Sequence, residues 1–214
     1  MTKTLEFMTP ESQWERTLKN IATTRLQIAM VITGGGTGAV SRCFRRSGAS
    51  INFLEAVVPY SRLSTHQYLG REPTEGYAAP KTAQALAEVA YCRANSQGDR
   101  PEQAMGISLT ASLPTHTTIS DAADVQSAVA HNASSQNACI HVASHGVRDQ
   151  RIWSLRFPID TYNREASEAI AEQMFLIALR ESLTQSDLDR DLDRDLDPLT
   201  PLREAGLIVT SMAS

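Results

Sequence analysis

Thr33-Gly34-Gly35-Gly36-Thr37-Gly38 is the stretch of this sequence best suited to chemistry. An apolar run that ends in glycines and feeds a helix aims backbone N–H groups at one point, where an anion is welcome. Glycine removes the Cβ atoms that would keep a phosphate at a distance. Two readings fit these residues: contact with a phosphate or nucleotide, or a tight strand-to-helix turn. Arg42, Arg45 and Arg46 follow on the next helix, and Arg42 is near enough in sequence to reach an anion at the loop. His116, His131, His141 and His145 are the candidate metal ligands. Two of them four apart in a strand share a face but stand roughly 13 Å from each other, too far for one zinc. No metal and no cofactor is expected. Arg148 and Arg151 sit in a polar turn between two strands and read as a solvated hairpin tip.

These residues need a scaffold, and the patterning supplies one. Thr9-Pro10-Glu11 is a helix start, with a hydroxyl cap, proline in the first turn and an acid at the positive end. Trp14, Leu18 and Ile21 follow at helical spacing, so a helix is expected to about Thr23. Leu26–Thr33 reads as a buried parallel strand, Ala39–Arg46 as the helix after the glycines, and Phe53–Tyr60 as a second strand that ends near Pro59. Helices are expected at Ser61–Leu69, Lys81–Arg93 and 163–183, and strands at Met105–Ala111, Ala138–Ser144, Arg151–Pro158 and Leu207–Met212. Strands and helices alternate early and strands pair later, which implies an α/β fold: a three-layer α/β/α arrangement on a central mixed sheet. Residues 1–185 are expected to form this domain. Residues 186–214, which carry the repeat DLDRDLDRDLD, are expected to form an acidic flexible tail.

Spacing argues against a familiar motif pair. The glycine loop together with Tyr77-Ala78-Ala79-Pro80-Lys81 imitates the cofactor loop and Tyr-x-x-x-Lys of an NAD(P)-dependent short-chain dehydrogenase. Only 43 residues separate Thr33 from Tyr77, too few for the strands that must intervene.

A second resemblance runs through more of the chain. The glycine loop, then Ser47-Gly48-Ala49-Ser50, then Ala56-Val57-Val58-Pro59-Tyr60-Ser61, then Tyr68-Leu69-Gly70 resembles, in one ungapped register, the C-terminal domain of the CinA family. Its pattern is Glu-Ser-Cys-Thr-Gly-Gly, Gly-Ser-Ser, Gly-Val-Val-Thr-Tyr-Ser and Leu-Gly-Val. The likeness covers roughly residues 12–183, and Gly-Gly-Gly-Thr-Gly-Ala is similar to the loop of a divergent branch of that family.

The family includes nicotinamide-nucleotide amidases, so the resemblance implies a nicotinamide-mononucleotide-like ligand. In intact members it also implies metal-free hydrolysis of the ligand's amide by a serine nucleophile assisted by a tyrosine and a lysine. Here Thr33 falls on the serine, Tyr60 on the tyrosine and Thr65 on the lysine. The ligand would lie over Gly34, Gly35, Gly36, Thr37 and Gly38, with Arg42 and Ser61 in reach. Thr33 and Tyr60 would stand at the reacting end, and Ser108, Thr110 and Ser112 along the opposite loop. An alcohol attacks an amide only when a base takes its proton, and no lysine survives at that position. The implied function is a weak amidohydrolase or a nucleotide-binding pseudoenzyme. The alternative is a non-catalytic assembly or sensor protein, and the remote alternative the dehydrogenase-like protein.

The composition agrees with this class. Among 214 residues, 20 Lys and Arg face 24 Asp and Glu, and the net charge of −4 lacks the basic excess of a nucleic-acid-coating protein. No apolar run is long enough for a membrane span, and residues 1–16 lack the apolar core of a secretory signal. Three widely spaced cysteines read as reduced thiols, so a cytoplasmic protein is expected. Its expected partners are a small-molecule nucleotide and other copies of itself, with neither nucleic acid nor membrane.

Overall fold

The computed structural model describes residues 10–113, 138–147, 149–158, 162–183, 199–204 and 207–213. In chain order the elements are α1 (Pro10–Thr23), β1 (Gln27–Thr33), α2 (Gly38–Phe44), β2 (Phe53–Val57), α3 (Arg62–Leu69), α4 (Pro80–Gln97), β3 (Ala104–Ser112), β4 (Cys139–Gly146), β5 (Gln150–Arg156), α5 (Arg164–Leu183), α6 (Thr200–Glu204) and β6 (Ile208–Ala213). The six strands form one sheet in the order β2-β1-β3-β4-β5-β6. β1 is parallel to both β2 and β3, and the remaining pairs are antiparallel. The expected mixed sheet between helical layers is therefore present.

β1 is buried at all seven positions, which its continuous apolar run QIAMVIT requires. Alternate residues of the sheet serve different layers. Ile28, Met30, Ile32, Ile107, Leu109, Ile140, Val142, Trp153 and Leu155 join one core with Trp14 and Leu18 of α1, Cys43 of α2 and Met174 and Phe175 of α5. Ala29 and Val31 face the other way, onto Leu86, Ala90 and Ala94 of α4. α4 lies very close to β3: a Cβ on Gly106 would collide with backbone atoms of Ala87 and Tyr91. Its alanine-rich face is what permits this approach.

Three boundaries differ from expectation. β2 stops at Val57 and not at Tyr60, because Pro59 has no N–H for the ladder and its carbonyl accepts side-chain hydroxyls instead. Ser108, Thr110 and Ser112 lie within strand β3 and not on a loop. β6 pairs along β5 from Ile208 to Ala213, so residues beyond the boundary expected at 185 belong to the sheet. The acidic repeat, His116 and His131 lie outside the described residues.

Candidate functional site

β1 and β2 end side by side, and their chains leave to opposite faces. After β1 the chain enters α2, whose Ala39 and Cys43 sit in the core shared with α1 and α5. After β2 it enters α3, whose Tyr68 and Leu69 pack against the α4 core. Divergence at the carboxyl ends of adjacent parallel strands opens the crevice in which α/β sheets bind ligands. Thr33, the last residue of β1, and Tyr60, just past β2, both lie there.

The crevice holds its polar groups tightly. Thr33 is 6% exposed, and its hydroxyl donates to the Pro59 carbonyl at 2.9 Å. Thr65 of α3 donates to the same carbonyl at 2.8 Å and to that of Ser61 at 3.1 Å. A carbonyl can only accept, so Thr33 donates its proton there, and Thr65 shares its single proton between the Pro59 and Ser61 carbonyls. Tyr60 is 64% exposed and stands at the mouth. Ser61 caps α3, its hydroxyl accepting from the Ser64 N–H at 3.1 Å.

Sequence reasoning gave Arg164 no part in this site. Arg164 opens α5, 130 residues beyond Gly34 in sequence, and donates to the Gly34 carbonyl at 3.3 Å. Tyr60 lies near enough to act on its charge. Arg164 Nη2 and Nε reach Glu168 Oε1 at 2.7 and 3.0 Å. Burial acts to lower the Arg164 pKa, but the bonds and charges of Glu168 and Tyr60 outweigh it, and the value lies above the ordinary one. Glu168 Oε2 in turn accepts the Gly36 N–H at 2.5 Å.

α5 thus runs alongside the glycine loop and meets it residue by residue. A Cβ at Gly34 would overlap the Ala111 carbonyl, and one at Gly35 the Leu113 side chain. At Gly36 it would press on Ala171, and at Gly38 it would strike the Glu172 carboxylate. Gly34 and Gly36 also have φ of +81° and +74°, which side chains disfavour. The loop is glycine-rich because α5 and the end of β3 approach it so closely. A sequence signal existed: Arg164, Glu168 and Glu172 recur every fourth residue, a charged stripe on a helix otherwise rich in buried apolar residues.

The other expected site residues have partners or surroundings of their own. Arg42 bonds Glu11 and Glu172 and lies over the Trp14 ring at 5.5 Å, so it stands on the α1 side. Ser108 is fully buried and donates to the Ala83 carbonyl at 2.6 Å, while Thr110 donates to that of Tyr77 at 2.6 Å. These two hydroxyls fasten α4 and its preceding loop to the sheet, and Thr110 is the register partner of Thr33 on the neighbouring strand. Thr37 is exposed at the start of α2 without a side-chain cap bond, and Ser112 ends β3 half-buried. His141 is 4% exposed, with Nδ1 2.8 Å from Ser154 Oγ. Burial, with some help from Arg156, pushes its pKa down to about 4.

Two surface cavities, of about 320 and 420 Å³, are lined by neither Thr33 nor Tyr60: one lies between Arg71 and His145 beside α4, the other along α1 and α2. Among the described residues no helix is long and apolar enough to cross a membrane, and no group of three or more His, Cys, Asp or Glu could hold a metal ion.

No protein-family model matches the sequence, and no curated protein matches it significantly. Solved structures do resemble it. A competence-damaged protein (CinA) superfamily protein from Escherichia coli is 15% identical and aligns over 82% of this chain and 89% of its own, at a TM-score of 0.56. Another from Enterobacter cloacae is 11% identical, over 86% and 98%, at 0.57. A competence/damage inducible protein from Agrobacterium tumefaciens is 14% identical, over 81% and 93%, at 0.55. By these likenesses the chain has the fold of the CinA superfamily structures.

Proposed function

We propose that this protein binds a nucleotide resembling nicotinamide mononucleotide in the crevice at the ends of β1 and β2, and that it does not hydrolyse the ligand's amide. The position at a topological switch point favours binding. Tyr60 offers an exposed aromatic surface there, and the Arg164 side chain, 39% exposed, offers a cation for a phosphate.

One observation carries the second half of the reading. The Thr33 hydroxyl gives its proton to the Pro59 carbonyl, which also accepts from Thr65. A peptide carbonyl is no base, and Thr65 stands where a lysine would be needed. Arg164, the cation that does reach the crevice, keeps its proton at any physiological pH. An alcohol so held lacks the partner that makes it a nucleophile.

Calorimetric titration with nicotinamide mononucleotide, followed by an ammonia assay on the same sample, tests this reading. The expected result is heat of binding with no ammonia. Ammonia release that disappears in Thr33→Ala would instead establish an amidohydrolase with threonine in the serine's place. Absence of both heat and ammonia would remove the proposed ligand class.

A further inference from the structure

We infer that Glu168 is the crevice's own anion: it occupies Arg164, so that a phosphate-bearing ligand binds only by taking its place. The inference rests on the reading of the crevice as a nucleotide site. Arg164 donates to the Gly34 carbonyl and lies near enough to Tyr60 for the two to influence each other, so it faces a ligand seated between them. Both of its bonds to Glu168 converge on one oxygen, Oε1, while Oε2 accepts from Gly36. The pair is neutral, and an arriving phosphate meets a carboxylate already seated on its receptor. Like charges placed side by side in such a site repel strongly. One turn further along α5, Glu172 adds a second carboxylate, but Arg42 pairs with it. Glu168 is thus the charge that sets the crevice's threshold for anions. Inorganic phosphate, with no other contacts to offer, should be excluded, whereas a nucleotide that also stacks on Tyr60 can displace Glu168.

The test compares the full-length protein with Glu168→Gln and Glu172→Gln, each titrated with inorganic phosphate and with nicotinamide mononucleotide by calorimetry and by thermal shift. Glutamine keeps the size of Glu168 and can still accept from Gly36. Glu168→Gln should bind inorganic phosphate at least about tenfold more tightly than the wild type, and Glu172→Gln should not. Equal phosphate affinity in the wild type and Glu168→Gln, or an equal gain in both variants, would overturn the inference. Should Glu168→Gln melt too early to titrate, Glu168→Asp, which keeps the charge and shortens its reach to Arg164, should show a smaller gain in phosphate affinity. No gain there would also overturn it. The nucleotide arm separates the two claims. A phosphate gain without nucleotide binding in any form would remove the ligand class and leave the role of Glu168 standing. Nucleotide binding with no phosphate gain would do the reverse.

Discussion

One face of the sheet offers Ile28, Met30, Ile107, Leu109, Ile140 and Trp153 to α1, α2 and α5, whereas the other offers Ala29, Gly106, Ser108, Thr110, His141 and Ala143 on the side of α4. The first face is held by volume, through large side chains that fill the space between layers. The second is held by proximity. Its small side chains let the helix backbone come into contact, and the Ser108 hydroxyl bonds the Ala83 carbonyl directly. Thr33 lies at the end of the second face, in register with Thr110. The crevice therefore inherits the rigid, hydrogen-bonded character of that side.

Substitutions that exchange the character of the two faces test this contrast. The largest effect is expected for Gly106→Val, whose side chain would have to occupy the backbone of Ala87 and Tyr91. A loss of more than about 4 kcal/mol in urea unfolding, or no folded protein, is expected. A normal melting temperature would show that α4 does not sit so close. Leu109→Ala, on the opposite face at a fully buried site, should cost about 3 kcal/mol by leaving a cavity. A cost well under 1 kcal/mol would show that this face is not held by volume.

His141 gives a smaller effect that depends on pH. Its folded pKa of about 4 lies below the ordinary 6.5, so the unfolded chain takes up a proton first as pH falls. The stability it lends is complete above pH 6.5 and drains away towards pH 4. Between pH 7 and pH 5 this amounts to about 2 kcal/mol. His141→Asn should flatten the stability profile by that amount over that interval, and an unchanged slope would show that His141 is not held neutral.

Much of this architecture was written locally. The glycines after LQIAMVIT marked the end of β1, and Pro10-Glu11 marked the start of α1. Ser108-Leu109-Thr110-Ala111-Ser112 alternates between the two faces as a strand must, a period-two signal that outweighs its likeness to a binding loop. Arg164 and Glu168 were harder to place. Their effect depends on α5 coming to rest against a loop 130 residues earlier; the charged stripe on α5 marks a polar face but not the loop it meets. The glycines themselves were ambiguous for the same reason: a loop stripped of Cβ atoms suits a bound phosphate and an adjacent helix equally well.

The sheet is parallel at one end and antiparallel at the other, and this asymmetry has a kinetic meaning. β4 and β5 are joined by three residues, and such hairpins close in about microseconds. β1 finds β3 only after the chain has traversed the 70 residues from Gly34 to Gln103, a loop whose entropy must be met before any contact rewards it. The β4–β5 hairpin should therefore form early and the β1–β3 pairing later. Of the two tryptophans, Trp153 lies on β5 and Trp14 on α1. In stopped-flow refolding, single-tryptophan variants should show Trp153 acquiring its native emission before Trp14, and simultaneous recovery would mean that the two ends fold as one unit.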